Sequence, residues 1–229
     1  MGYFGMNIPQ EFAGAGLDAV TSMIIINEIS KSDPSIGHII AGFNFGICYP
    51  LLVFGTDEQK EKYLVPCAKG EKIGALAHNE PDGASMGQIK TVAVRDGDYY
   101  ILNGTKSMIT SANVADFALV FAKTDNNTIG HPKYNLFIVD LKDCDSIVIG
   151  KNEETMGLDS LKIADIAFNN VRVHKSNILG TVGEGFKVII KTMELMRIAN
   201  AAVSLGIAER AYYEALDYSK MRKISNSPM

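Results

Sequence analysis

The 229-residue chain has no tryptophan and only three cysteines, Cys48, Cys67 and Cys144. They form no CxxC pair and show no metal-ligand spacing, which argues against a disulfide framework or a zinc site and points to a reducing, intracellular setting. There is no excess of positive charge. The net charge is −4, and Lys and Arg are scattered rather than striped, so nucleic acid is not an expected partner. No basic region followed by a long apolar stretch opens the chain, so no signal peptide is expected. The expected location is cytoplasmic, or the mitochondrial matrix in a eukaryote. His38, His78, His131 and His174 share no motif with a serine or cysteine nucleophile, and none belongs to HExxH, which leaves no visible triad or zincin site. His131 and His174 read as solvent-exposed.

What is present is ordinary globular composition, 47% hydrophobic and 21% charged. Ile36 to Phe54 is apolar enough to suggest a membrane span, but His38, Asn44, Pro50 and three glycines interrupt it. A buried helix is the expectation, and no membrane span.

The hydrophobic period changes twice. From Leu17 to Leu64 it is helical: one helix over Leu17 to Ile29, a second opened by Asp33 at the N-cap and Pro34 at N1, and a third over Glu58 to Leu64 opened by a Thr56/Gln59 capping box. From Gly74 to Val173 the period is two. Strands are expected at Lys90–Arg95, Tyr99–Leu102, Phe117–Lys123, Asn135–Asp140, Ser146–Lys151, Ile163–Asn169 and Val171–Val173, a pattern of a small barrel or sandwich. From Gly183 the helical period returns, broken at most by Gly206, and Ser225 to Pro228 does not continue it. Helices, then strands, then helices indicate segregated layers.

Two glycine patterns invite a dinucleotide reading. Gly14-Ala15-Gly16 lacks the preceding buried strand and any following βα alternation, so the Rossmann reading fails. Gly180 to Gly185 is expected to cap the C-terminal helix.

Two segments stand out as unusual turns, His78-Asn79-Glu80-Pro81-Asp82-Gly83-Ala84-Ser85 and Asn103-Gly104-Thr105-Lys106-Ser107-Met108-Ile109-Thr110. Between them lie two alternating strand patterns joined by Asp96-Gly97. Together with Phe4 to Gly16, Phe54 to Leu64, and Gly183 to Lys187 followed by Arg197 and Arg222, their order resembles the acyl-CoA dehydrogenase family of flavoproteins. The resemblance runs from Tyr3 to Arg222 and implies an α+β multi-domain chain truncated at both ends. Its parts would be an N-terminal helical domain (1–73), an antiparallel β-barrel middle domain (74–178) and the start of a C-terminal helical bundle (179–229).

The resemblance implies FAD as cofactor and an acyl-CoA thioester as substrate. The implied reaction is α,β-dehydrogenation, or the reverse enoyl-CoA reduction, with electrons passing to an electron-transfer flavoprotein. It places Ala77, His78, Asn79, Ser85, Met108, Ile109 and Thr110 at the flavin, with Thr110 aimed at N5. Arg222 would reach the FAD of a neighbouring subunit. Ser85, Glu194 and Arg197 would meet the thioester ligand. The chain departs from the family pattern at His78-Asn79 (usually hydrophobic-Thr), Met86 (Asp), Met108 (Trp) and in the tail, where an aromatic and a glycine are replaced.

The family's proton-abstracting glutamate has no counterpart among these residues, so no catalytic base is assigned. Phe186, Ile189, Ile190, Met193, Leu205 and Tyr212 would leave an apolar helical face uncovered, at about 1.5–3 kcal/mol each. A homo-oligomer or a second chain supplying further helices would cover it; otherwise the chain is a marginally stable product. The rival to an enzyme is a non-catalytic fragment or subunit that assembles with a partner or binds ligand weakly.

Overall fold

The computed structural model describes residues 2–83, 85, 88–124, 133–142, 144–224 and 227–228. The readings placed on Ala84, Met86, His131 and the Ser225-Asn226 pair lie outside them.

The expected caps at Asp33 and Thr56 hold, whereas the first helix starts at Ala19 and not at Leu17. Helix α1 (Ala19–Ser32) begins where Asp18 Oδ1 accepts the Thr21 amide, and α2 (Pro34–Ala41) begins where Asp33 Oδ1 accepts the Ser35 and Ile36 amides. Past α2 the backbone widens into a π-helical stretch, Gly42–Cys48, before α3 (Tyr49–Phe54). Asn44, fully buried within that stretch, donates to Tyr3 O (2.7 Å) and Ile40 O (2.9 Å) and accepts the Met6 amide (3.0 Å). Its polar atoms therefore tie the N-terminal segment to the helix. Pro34–Phe54 has the length and hydropathy of a membrane span, but 61% of that window is buried inside the fold, as its sequence interruptions suggested. The Thr56/Gln59 capping box opens α4 (Asp57–Gln59). Helical backbone continues past Leu64 into α5 (Val65–Lys69), because Pro66 falls in that helix's first turn and breaks nothing.

Among the described residues the middle of the chain forms eight strands: β1 (Gly74–Ala77), β2 (Val92–Asp96), β3 (Tyr99–Thr110), β4 (Phe117–Thr124), β5 (Lys133–Asp140), β6 (Ile147–Ile149), β7 (Ile163–His174) and β8 (Ile178–Leu179). Their order is β6-β7-β3-β2-β4-β5-β8, with β1 beside β4. The expected antiparallel barrel is wrong on two counts. The sheet is mixed, because β1 and β2 both run parallel to β4. It is also open: its end strands are only three and two residues long, and among the described residues β6 and β8 do not pair.

A second correction concerns the segment read as the turn Asn103 to Thr110. It is strand throughout, pairing with β7 across two register shifts, at Leu102/Gly104 and Lys106/Ile109. Gly104 at φ +146° takes a backbone conformation that only glycine adopts freely, so the strand bulges instead of turning. The two strands expected within Ile163 to Val173 likewise merge into β7, with Asn170 at φ +56° absorbing the irregularity.

Strand β4 is buried on both faces. Ala118, Val120 and Ala122 join a core with Leu102, Phe137, Ile166 and Phe168. Phe117, Leu119 and Phe121 face the helices and meet Leu51, Leu64, Val188 and Ile189. Helix α6 (Gly185–Met221) runs unbroken through Gly206, and two short strands, β9 (Lys223–Ile224) and β10 (Ser227–Pro228), pair antiparallel beyond it. A Cβ on Gly206 would lie 2.5 Å from Asn27 O, so that glycine lets α1 and α6 approach. The Gly180–Gly185 stretch seats the start of α6 on β5: Gly183 N donates to Asn135 Oδ1 (2.6 Å), and a Cβ on Gly185 would meet Asn135 Cα at 2.5 Å. Gly14 is a packing glycine against Ile8, not part of a phosphate turn.

Candidate active site

The carboxyl end of β1 leads straight into the first conspicuous segment. Ala77 is fully buried, and the chain then leaves the sheet through His78, Asn79 and Glu80. Glu80 and Gly83 close a tight turn by exchanging backbone hydrogen bonds of 3.1 and 2.9 Å, with Pro81 setting the bend. Strand β3 clamps this segment from beside it: Ser107 N donates to Asn79 O (3.0 Å), and Lys106 Nζ donates to His78 O (3.2 Å) and to Glu80 Oε1 (2.9 Å).

Lys106 is completely buried and Glu80 nearly so. The Glu80 carboxylate also accepts the Lys90 amide (2.7 Å), the Thr91 amide (2.9 Å) and the Thr91 hydroxyl (2.5 Å). Burial opposes ionisation of Glu80, but those bonds outweigh it and hold its pKa at about 2. Burial pulls Lys106 down to about 8 against the attraction of Glu80, so both are charged at neutral pH. Sequence reading missed this pair because Lys106 was assigned to a turn. As strand, it has the inward parity of Tyr100 and Leu102, and that parity was the available signal.

A second device sits one residue on. Asp165 Oδ1 accepts Ser107 Oγ (2.6 Å) and the Met108 amide (3.0 Å), while Met108 lies at φ +56°. This left-handed residue, uncommon outside glycine, turns the Met108 side chain outward, half exposed, and sends Ile109 into the sheet core.

These devices border a cleft of about 330 Å³. Its sheet wall includes His78, Asn79, Met108 and Thr110; its helical wall includes Phe4, His38, Phe43 and Ile47, with Met196 and Asn200 from α6. Asn79 Oδ1 is buried and has no hydrogen-bond partner among the described residues. Burial alone lowers the pKa of His38; burial and then the Lys106 charge lower His78 to about 4. Both imidazoles are therefore neutral at pH 7.

The structure thus gathers His78, Asn79, Met108 and Thr110 of the sequence-nominated residues. It does not bring the others into the cleft. Ala77 and Ile109 are core residues beside it, and Ser85 is exposed on the loop beyond Gly83. Glu194 and Arg197 lie on the exposed side of α6, Glu194 paired with Lys191 at 2.9 Å. Arg222 is exposed just past the end of α6. His38 and Phe43 were not nominated; their segment was read only as a buried helix.

The low pKa values of His78 and Glu80 set an acid dependence. Unfolded, His78 takes up a proton near its ordinary 6.5, but folded only near 4. The unfolded chain therefore binds more protons across that window, so stability is full above 6.5 and falls as pH drops towards 4. Glu80 continues the loss from about 4.5 towards 2. Urea unfolding at pH 7, 5.5 and 4 should show this fall. His78→Leu should make the decline from 7 to 4 shallower by about 1–2 kcal/mol, discounted for partial exposure; an unchanged slope would remove His78 as its source.

Helices and an open mixed sheet wall this cleft in a chain of the α+β class. Sequence models of the acyl-CoA dehydrogenase N-terminal, middle and C-terminal domains match residues 1–71, 75–171 and 183–229. The chain belongs to the acyl-CoA dehydrogenase family. It is 44% identical over 229 residues to 3-(aryl)acrylate reductase of Clostridium sporogenes, covering all of this chain and 60% of that protein. It is 42% identical over 228 residues to the short-chain-specific acyl-CoA dehydrogenase of Clostridium acetobutylicum, covering 97% of this chain and 59% of that one. Among solved structures, butyryl-CoA dehydrogenase from Megasphaera elsdenii superposes with a TM-score of 0.93 at 34% identity, over 99% of this chain and 60% of the other. The chain therefore spans about three fifths of the length of these relatives.

Proposed function

We propose that this chain provides the FAD-binding and acyl-binding walls of an acyl-CoA dehydrogenase-type oxidoreductase. The observation that carries the reading is Asn79, which lines the cleft with Met108 and Thr110 and whose buried Oδ1 has no hydrogen-bond partner among the described residues. A buried acceptor left unpaired costs about 1–3 kcal/mol, and a planar heterocycle with ring N–H donors satisfies it. Asn79, the backbone of Ala77, His78 and Ile109, and the Met108 and Thr110 side chains would hold FAD. Ser85 would reach its pyrophosphate and the thioester, Glu194 and Arg197 the CoA portion, and Arg222 the cofactor of a neighbouring subunit. When bound, FAD supplies hydride transfer to or from the acyl chain. The chain's own groups orient and shield. Met108 would cover the ring with a polarizable thioether, Thr110 would offer it a hydroxyl, and the Lys106–Glu80 pair holds the His78 carbonyl beside them.

No residue here is assigned as the base for the α-proton. The acyl-CoA thioester, an electron-transfer flavoprotein as electron partner, and assembly through a homo-oligomer or a second chain are parts of the same proposal. So is the division at 1–73, 74–178 and 179–229. A second reading, a subunit that only assembles, is favoured by exposed Phe186, Ile198, Leu205, Ile207 and Tyr212 along α6.

The visible absorption spectrum of the purified chain with FAD, then with butyryl-CoA, tests the proposal. A protein-bound flavin band without bleaching by the thioester is expected. Bleaching would mean that a proton acceptor does lie in this chain. A folded sample with no bound flavin would refute the cofactor assignment and leave the assembly reading.

A further inference from the structure

Two of the groups on the cleft walls do not suit a plain alkyl chain. His38 enters from α2 and His78 from the segment after β1, among Phe4, Phe43 and Ile47. Each histidine is half-buried, and among the described residues no carboxylate acts to hold either protonated. Burial is the first cause acting on both, and among the described residues the Lys106 cation adds to it at His78. No group of three or more metal-ligating side chains occurs among the described residues, so metal ligation does not account for them. Both are anchored by their backbones: His38 O accepts the Gly42 amide, and His78 O accepts Lys106 Nζ. The backbone of each is therefore held at the cleft wall.

A neutral imidazole offers one hydrogen-bond donor and one acceptor. In an open cleft water satisfies them. An alkyl chain that fills the cleft displaces that water and returns nothing, whereas a hydroxyl, which both donates and accepts, restores the bond. We propose that His38 and His78 form a polar subsite that selects acyl thioesters bearing a hydroxyl, aliphatic or phenolic, over unsubstituted chains. The inference rests on the acyl-thioester reading of the cleft and adds the class of acyl group. Discrimination by buried polar groups against a ligand lacking the partner is large when the site is sealed. This cleft is open on one side, so about 10- to 100-fold is expected.

The test is calorimetric binding to the FAD-supplemented chain of two matched pairs: butyryl-CoA with 4-hydroxybutyryl-CoA, and cinnamoyl-CoA with 4-hydroxycinnamoyl-CoA. In at least one pair the hydroxylated thioester should bind at least about tenfold more tightly. His38→Leu with His78→Leu should bring that ratio near one, and His38→Gln with His78→Gln should restore part of it. Equal affinities within both pairs for the unsubstituted protein overturn the subsite while leaving the thioester reading intact. A preference that survives the double leucine variant assigns it to other groups and also overturns the proposal. Failure of all four thioesters to bind a folded, flavin-loaded chain overturns the thioester reading and the subsite with it.

Discussion

Glu80→Ala should lower the unfolding free energy by about 3–5 kcal/mol, the cost of leaving a buried charge without its partner. The ammonium of Lys106, fully inside the fold, would keep only the His78 carbonyl at 3.2 Å, and the Lys90 and Thr91 amides would lose their acceptor. The sign of the comparison matters more than its size. Replacing both members with neutral side chains, Glu80→Gln with Lys106→Met, removes the charges together and should cost less than Glu80→Ala alone. Urea denaturation of both variants decides the matter. If the double variant is the less stable, the pair contributes through hydrogen bonding and shape, and the charge argument fails. The same loss should loosen the His78-Asn79 backbone, so flavin affinity should fall in Glu80→Ala before the chain unfolds.

Gly104→Ala should cost about 2–6 kcal/mol from two independent sources. At φ +146° an L-residue is strained by about 1–3 kcal/mol. Overpacking costs a further 1–3 kcal/mol or so, because the new Cβ would lie 2.6 Å from Thr91 Oγ1 and 2.7 Å from Thr91 Cα. Thr91 is the residue whose amide and hydroxyl hold Glu80, so the clash propagates into the ion pair. Gly97→Ala is the control. Gly97 is also left-handed, at φ +61°, but a Cβ there meets nothing within 4 Å, so only about 1–2 kcal/mol is expected. Thermal unfolding of the two variants should separate them clearly; similar losses would leave backbone strain alone as the cause and exclude the contact with Thr91.

Local signals were legible where they act within a few residues. Asp33-Pro34 and the Thr56/Gln59 box start helices as their chemistry dictates, and period-two patterning located most strands. Three outcomes were not local. The openness of the sheet depends on how few residues β6 and β8 contribute, which alternation does not encode. The reading of Asn103 to Thr110 as a turn took Asn-Gly at face value. Pairing with β7 overrides that preference, because a bulge at Gly104 satisfies the glycine without ending the strand. The third is the cleft. His78, Asn79, Met108 and Thr110 were readable from motif order, whereas His38 reaches the same space only through the packing of α2. Glu194 and Arg197 are exposed on α6 and do not line it.

Strand β4 is a party wall between two dry interiors. Its aromatic and leucine positions look towards the helices, and its alanines and valine look into the sheet's own interior. Stripping the helices from the sheet would put Phe117, Leu119 and Phe121 into water at about 1.5–3 kcal/mol each, a sum comparable with the whole stability of a modest domain. Helices and sheet in this chain are thus bound to melt together and to be inherited together. Recombination that swapped one without the other would have to re-tailor both sides of a single strand at once.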